Sequence, residues 1–133
     1  MVHYVQVSSR ARNELIDITG QVADLVKKSS VSGGVCHLFS LHTTAAITVN
    51  EGADPAVRAD ITRFLATLVP ADAPFTHGEG NSDAHVKASL VGASETILIE
   101  GGRLILGTWQ AIFFCEFDGP RTRKVAVRIA AGD

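Results

Sequence analysis

The stretch from Gln110 to Phe117 reads Gln-Ala-Ile-Phe-Phe-Cys-Glu-Phe and is apolar at nearly every position. A run that does not alternate is a strand buried on both faces, so it belongs at the centre of a sheet. Val35 to Leu41 and Ala45 to Asn50 are two more buried strands, separated by the polar break His42-Thr43-Thr44. Tyr4 to Ser8 alternates as a half-buried strand, and Asn13 to Ile18 is read as another. Thr96 to Ile99 and Arg103 to Leu106 form a hairpin turned at Gly101-Gly102. After the turn Asp118-Gly119-Pro120, the last strand carries Val125, Val127 and Ile129 on one face, with Lys124 and Arg128 on the other.

Two or three helices complete the pattern. Asp54 is an N-cap followed by Pro55 at the first helical position, and Val57, Ile61, Phe64, Leu65 and Leu68 recur at helical spacing until Pro70. Thr19 is read as the cap of a short helix with Val22, Leu25 and Val26 on one face and Lys27 and Lys28 in its last turn; Ser32-Gly33-Gly34 ends it. Ala84 to Leu90 is a third helix, capped by Ser82 or Asp83, after a loop from Ala71 to Asp83. The sum is a single α+β domain over residues 1–133, mainly antiparallel strands with two or three helices.

A chain of 133 residues can bury about two-thirds of its unfolded surface without a disulfide or a metal to hold it. Lys and Arg number 12 and Asp and Glu 14, a net charge of −2, which argues against a dedicated nucleic-acid binder. No apolar run approaches the roughly 18–20 residues that span a bilayer, and the first residues lack a signal-peptide pattern. Cys36 and Cys115 sit in apolar stretches and are read as reduced core residues, which points to the cytoplasm.

Polar residues gather where the strand and helix patterns break. One group is His42-Thr43-Thr44 with Asn50, Glu51 and Asp54; a second runs from His77 through Gly78, Glu79, Gly80, Asn81 and Asp83 to His85. The third is Gly107-Thr108-Trp109-Gln110 and the fourth Glu116-Phe117-Asp118-Gly119-Pro120-Arg121. Loops and element ends are where functional groups concentrate. His42, His77 and His85 could hold a divalent metal such as zinc and leave one position open, although their spacing matches no standard zinc motif; unrelated polar histidines are the alternative. The Gly78–Ser82 loop before a helix could present amides to phosphate, or be a plain surface loop. Glu116 and Asp118 fall on one side of the strand and could do acid/base work, or form an ion-pair network with Arg121. Trp109 is either a core or interface anchor or a stacking platform.

These segments, spanning Leu41 to Arg121 in order, resemble the YjbQ family of secondary thiamine-phosphate synthases. One departure is Gly52, where the family pattern suggests a polar residue. The resemblance implies a homotrimer with sites near subunit boundaries and a metal, zinc by expectation, at His42, His77 and His85. It implies a low-efficiency joining of a hydroxymethylpyrimidine diphosphate to a thiazole phosphate with loss of pyrophosphate. In that scheme Glu51, Glu116 and Asp118 are the catalytic candidates. Thr43, Thr44, Gly80, Asn81, Thr108, Trp109, Gln110 and Arg121 are the substrate-binding ones. A metal-dependent hydrolase or phosphatase, and a non-catalytic binder of a phosphorylated small molecule, are the rival readings.

Overall fold

In the computed structural model, which describes residues 1–132, the chain runs β1 (Val2–Ser8), β2 (Glu14–Asp17), α1 (Thr19–Ser29), β3 (Gly34–Ser40), β4 (Ala45–Glu51), α2 (Pro55–Leu68), α3 (Ser82–Val91), β5 (Ser94–Glu100), β6 (Arg103–Leu104), β7 (Gln110–Glu116) and β8 (Thr122–Ala131). Every strand pair is antiparallel. Five strands form one sheet in the order β1-β8-β3-β5-β6, and three form another in the order β2-β7-β4. This is the expected α+β architecture. No helix among the described residues is long and apolar enough to cross a membrane.

The non-alternating β7 explains the layering. It is the middle strand of the smaller sheet, and its two faces enter two different cores. Ile112 and Phe114 meet Val5, Val7, Leu38, Val125 and Val127 of the larger sheet together with Val22 and Val26 of α1. Phe113, Cys115 and Phe117 face the other way, against Ala84 and Ala88 of α3 and the half-buried Ile61 and Leu65 of α2. Burial pushes the Cys36 thiol up to about 11; burial, with the nearby Glu95 charge, takes Cys115 to about 12.

The local details refine the sequence reading. Asp54 caps α2 as expected, its carboxylate accepting from the Ala56 amide at 2.9 Å. Thr19 does not cap α1: the N-cap is Ile18, the Thr19 hydroxyl accepts from the Ile112 amide of β7 at 2.8 Å, and the helix ends at Ser29 with Ser30 in the left-handed region. A hydroxyl that can satisfy a strand amide just past the end of its neighbour β2 is drawn there rather than to its own helix. The N-cap of α3 is Asn81, without a side-chain capping bond: its Nδ2 donates to Asp118, and its buried Oδ1 makes no hydrogen bond to the helix amides. On α2, Phe64 and Leu68 point to solvent, so the helix is anchored by fewer side chains than its spacing suggests. Gly52 is explained by packing: a Cβ there would lie 2.4 Å from Ala111 Cβ.

Candidate functional site

A charged residue on the inward face of a strand must find a partner. Arg123 shares the inward parity of Val125 and Val127 on β8, and Glu116 shares that of Ile112 and Phe114 on β7, so the two meet between the sheets. Arg123 Nε donates to Glu116 Oε1 at 2.9 Å, and its Nη2 donates to Glu116 Oε2 and, at 2.8 Å, to the Thr44 hydroxyl. Glu116 also accepts from the Ser9 hydroxyl at 2.8 Å and the Asp118 amide at 3.0 Å. Burial pushes this carboxyl up, but Arg123, the Asp118 amide and Ser9 outweigh it, and the pKa lies below the ordinary value. The proton-handling role expected of Glu116 is therefore revised: at 0 % exposure, with both oxygens occupied, it anchors the site and does not meet a ligand. Thr44 is revised with it, being buried and bonded to Arg123 rather than lining a cleft.

The turn after β7 and the glycine-rich loop are fastened together. Asn81 Nδ2 donates to Asp118 Oδ2 at 2.9 Å, and Arg121 Nη2 donates to the same oxygen at 3.2 Å. Arg12 reaches Asp83 at 2.8 Å, the Gly80 carbonyl at 3.4 Å and Asp118 at 3.8 Å. Asp83 is fully buried and also accepts from Lys87 at 3.0 Å, while Lys87 donates to Asn13 at 3.2 Å. Burial alone would raise the Asp83 pKa; Lys87 and Arg12 bring it below the ordinary value.

None of Ser9, Arg12, Asn13, Lys87 and Arg123 stood out in sequence, and Asp83 did so only within the glycine-rich polar group and as a candidate cap. Two signals were present. Arg123 is polar at an inward-facing position of β8, Ser9 continues the inward parity of Val5 and Val7 just past β1, and Asp83 and Lys87 stand four apart on one helix face.

His42 follows β3, and its Nε2 accepts from the Lys124 backbone amide at 2.9 Å. Burial lowers its pKa, assisted by the positive charge of Arg123. His42 and His85 line one cleft of about 450 Å³ with Thr43 and Ser89, the rest of its wall being alanines and Gly92. His77 lies beyond it, its ring 5.5 Å from that of His85 in an edge-on arrangement and its Nε2 3.6 Å from Glu79 Oε2. Two imidazoles on one tetrahedral zinc have ring centres about 5 Å apart, so the spacing of His77 and His85 is compatible with a shared ion. The third ligand is not: His42 spends Nε2 on a strand amide. No group of three His, Cys, Asp or Glu among the described residues could hold a metal ion. The expected three-histidine centre does not fit this chain as it is folded.

Glu51, Thr108, Trp109 and Gln110 lie elsewhere. Glu51 pairs with Gln110 and Ala45 pairs with Glu116, so the two groups occupy opposite ends of β7. At about 3.4 Å per residue that separation is about 20 Å. Glu51 Oε2 accepts from the Ala53 amide at 2.8 Å, Gln110 Oε1 accepts from the Gly107 amide at 2.7 Å, and Trp109 is 64 % exposed. Trp109 is thus no core anchor. The His42 segment, the glycine-rich loop and the Glu116–Arg121 turn converge at one end of the smaller sheet; the Gly107–Gln110 group, with Asn50 and Glu51 of the first group, lies at the other end.

Residues 3–132 match the family described as UPF0047 protein YjbQ-like. The chain belongs to this family. It is 51 % identical to the UPF0047 protein MJ1081 of Methanocaldococcus jannaschii over 97 % of this chain and 94 % of that protein. It is 45 % identical to YugU of Bacillus subtilis, over 97 % and 98 % of the two chains. Among solved structures, a YjbQ/UPF0047 protein of Clostridium acetobutylicum superposes with a TM-score of 0.94 at 49 % identity, covering 96 % of this chain and 99 % of that one. A YbjQ-like protein of Sulfolobus solfataricus gives 0.95 at 35 % identity, over 99 % and 97 %. The family likeness thus extends across both sheets and all three helices.

Proposed function

We propose that the cleft between His42 and His85 takes the phosphorylated end of a small molecule, and that this chain is a cytoplasmic, homotrimeric transferase of the thiamine phosphate synthase type. The observation that carries the reading is the convergence of the His42 segment, the glycine-rich loop and the Asp118–Arg121 turn. Imidazoles and hydroxyls line the cleft there, and a half-exposed guanidinium, Arg121, stands on the neighbouring turn. In the reaction the bond from the pyrimidine methylene carbon to pyrophosphate breaks, and the electron pair leaves with the pyrophosphate oxygen. The thiazole nitrogen forms the new bond to carbon. The protein's part is to stabilise charge on the departing oxygens and to align the two rings. Arg121, held by Asp118, and the exposed backbone around Gly80 suit the first task.

Two features support the trimer. The outer face of the five-stranded sheet carries a cross-strand row of Tyr4, Ala126 and Phe39, with Tyr4 61 % and Phe39 51 % exposed, and Leu98 is exposed farther along the same face, opposite Val35. An apolar sheet face of this kind is covered by another chain in a stable assembly. Glu51 and Trp109, about 20 Å from the cleft of their own chain, reach a cleft only from a neighbouring copy.

The test is product analysis. Purified protein is incubated with hydroxymethylpyrimidine diphosphate and thiazole phosphate. Thiamine phosphate and pyrophosphate in equal amounts support the transferase. Pyrophosphate with the pyrimidine alcohol and no thiamine phosphate overturns it in favour of hydrolysis, and absence of turnover overturns it in favour of a binding protein.

A further inference from the structure

We infer that His42 meets its ligand as a hydrogen-bond donor, through Nδ1–H, so that the cleft is a site for an oxyanion of the phosphate class and not a metal centre. A neutral imidazole has one N–H and one lone pair. The lone pair of His42 is fixed by the fold: Nε2 accepts the Lys124 amide of β8 at 2.9 Å. The proton must therefore sit on Nδ1, where no lone pair is left for a metal.

The surroundings agree. The described residues that line the cleft include no carboxylate; they offer two imidazoles and the hydroxyls of Thr43 and Ser89. The Ser89 hydroxyl donates to the His85 carbonyl at 3.0 Å, which leaves Thr43 and the imidazoles as the free donors. Glu116, the acid whose charge acts on the His42 ring, is neutralised by Arg123 and sealed in the interior. Burial lowers the ring's affinity for a proton, and Arg123 and Arg121 add to that against the opposing charge of Glu116, so the site does not favour a cation at the ring. A cleft of donors with no acid favours an acceptor-rich anion.

This inference rests on the phosphorylated-ligand reading above but can fail separately from it. The whole protein, labelled with ¹⁵N-histidine, is studied by long-range ¹H–¹⁵N correlation at neutral pH. The expected pattern for His42 is a protonated Nδ1 and an unprotonated Nε2, and titration with inorganic pyrophosphate shifts Nδ1 saturably. A protonated Nε2, or a zinc titration that converts the His42 ring to a metal-bound nitrogen, overturns the inference. Two variants sharpen it. His42→Asn keeps an N–H near the Nδ1 position and should hold pyrophosphate within about threefold, whereas His42→Ala should weaken it about tenfold or more. Equal losses in both variants count against the donor role. Pyrophosphate binding with the expected tautomer but no thiamine phosphate formation would sink the transferase and leave this inference standing.

Discussion

Glu116 and Arg123 face each other across the gap between the two sheets, one from the central strand of the smaller sheet and one from β8 of the larger. The pair ties the layers at the end where the polar loops gather. Both side chains are buried, so removing one partner strands the other charge. Arg123→Met should destabilise the fold by about 3–5 kcal/mol, and Glu116→Gln by somewhat less because the amide still accepts hydrogen bonds. Combining Arg123→Met with Glu116→Leu should recover part of the loss. Thr44 then loses the Arg123 donor and Ser9 the Glu116 acceptor, though Ser9 keeps Arg121, so recovery is incomplete. Urea unfolding of these variants and of Glu116→Leu alone checks this; additive losses of Arg123→Met and Glu116→Leu would show that the two residues do not act as a pair.

The same groups set the pH dependence of stability. Glu116 and Asp83 have depressed pKa values in the fold, so each contributes stability that is fully present above its ordinary value, 4.5 for Glu116 and 3.8 for Asp83. That contribution is lost as the pH falls through the folded value. His42 acts in the same direction for the opposite charge: its folded pKa is also depressed, so below its ordinary 6.5 the unfolded chain takes up the proton first. Stability should therefore be level above neutrality, begin to fall below about pH 6.5, and fall further in the acid range. Denaturant midpoints measured from pH 8 to 3 would show this, and His42→Asn should remove the first part of the decline only.

Gly119 is a point where the turn and the first loop touch. A Cβ there would lie 2.3 Å from the Ala11 carbonyl oxygen, 2.6 Å from Ser9 Oγ and 2.9 Å from Glu116 Cγ. The Gly119 amide also donates to the Arg12 carbonyl at 3.1 Å. None of these neighbours is the loose end of a flexible side chain. Gly119→Ala should cost about 1–3 kcal/mol and weaken pyrophosphate binding, since it pushes the turn that carries Asp118 and Arg121. Thermal unfolding together with calorimetric titration checks both effects; an unchanged melting temperature would mean that the turn yields without cost.

What was legible in the sequence followed hydrophobic period. The non-alternating β7, the alternating β8, the β5–β6 hairpin and the capped α2 stand where their patterns put them, because burial of one face or two leaves a direct mark on residue order. The polar interior was harder to see. Thr19 and Asp83 looked like helix caps, but Thr19 spends its hydroxyl on β7 and Asp83 its carboxylate on Arg12 and Lys87, a competition decided by tertiary contacts. Arg12 and Asp83 are 71 positions apart, and nothing in either local segment announces the other. The four polar motifs were all visible as motifs. That the Gly107–Gln110 motif, with Asn50 and Glu51 of the first, lies at the far end of β7 depended on strand register, which spacing along the chain does not encode.

That register leads to the last prediction. If Trp109 of one copy serves the His42 cleft of another, the two residues need not be intact in the same chain. Trp109→Ala should leave stability within about 0.5 kcal/mol, because the side chain is mostly exposed in the single chain and carries little of its core. Both Trp109→Ala and His42→Ala should nevertheless be strongly impaired in thiamine phosphate formation as pure assemblies. When the two are dissociated, mixed in equal amounts and reassembled, some boundaries will pair an intact tryptophan with an intact histidine, and activity should return to a substantial fraction of the unmutated level. Mixing without reassembly should restore nothing. Recovery in neither case, with size measurement confirming mixed assemblies, would place Trp109 outside the site and leave its indole as a surface feature of the β7 end.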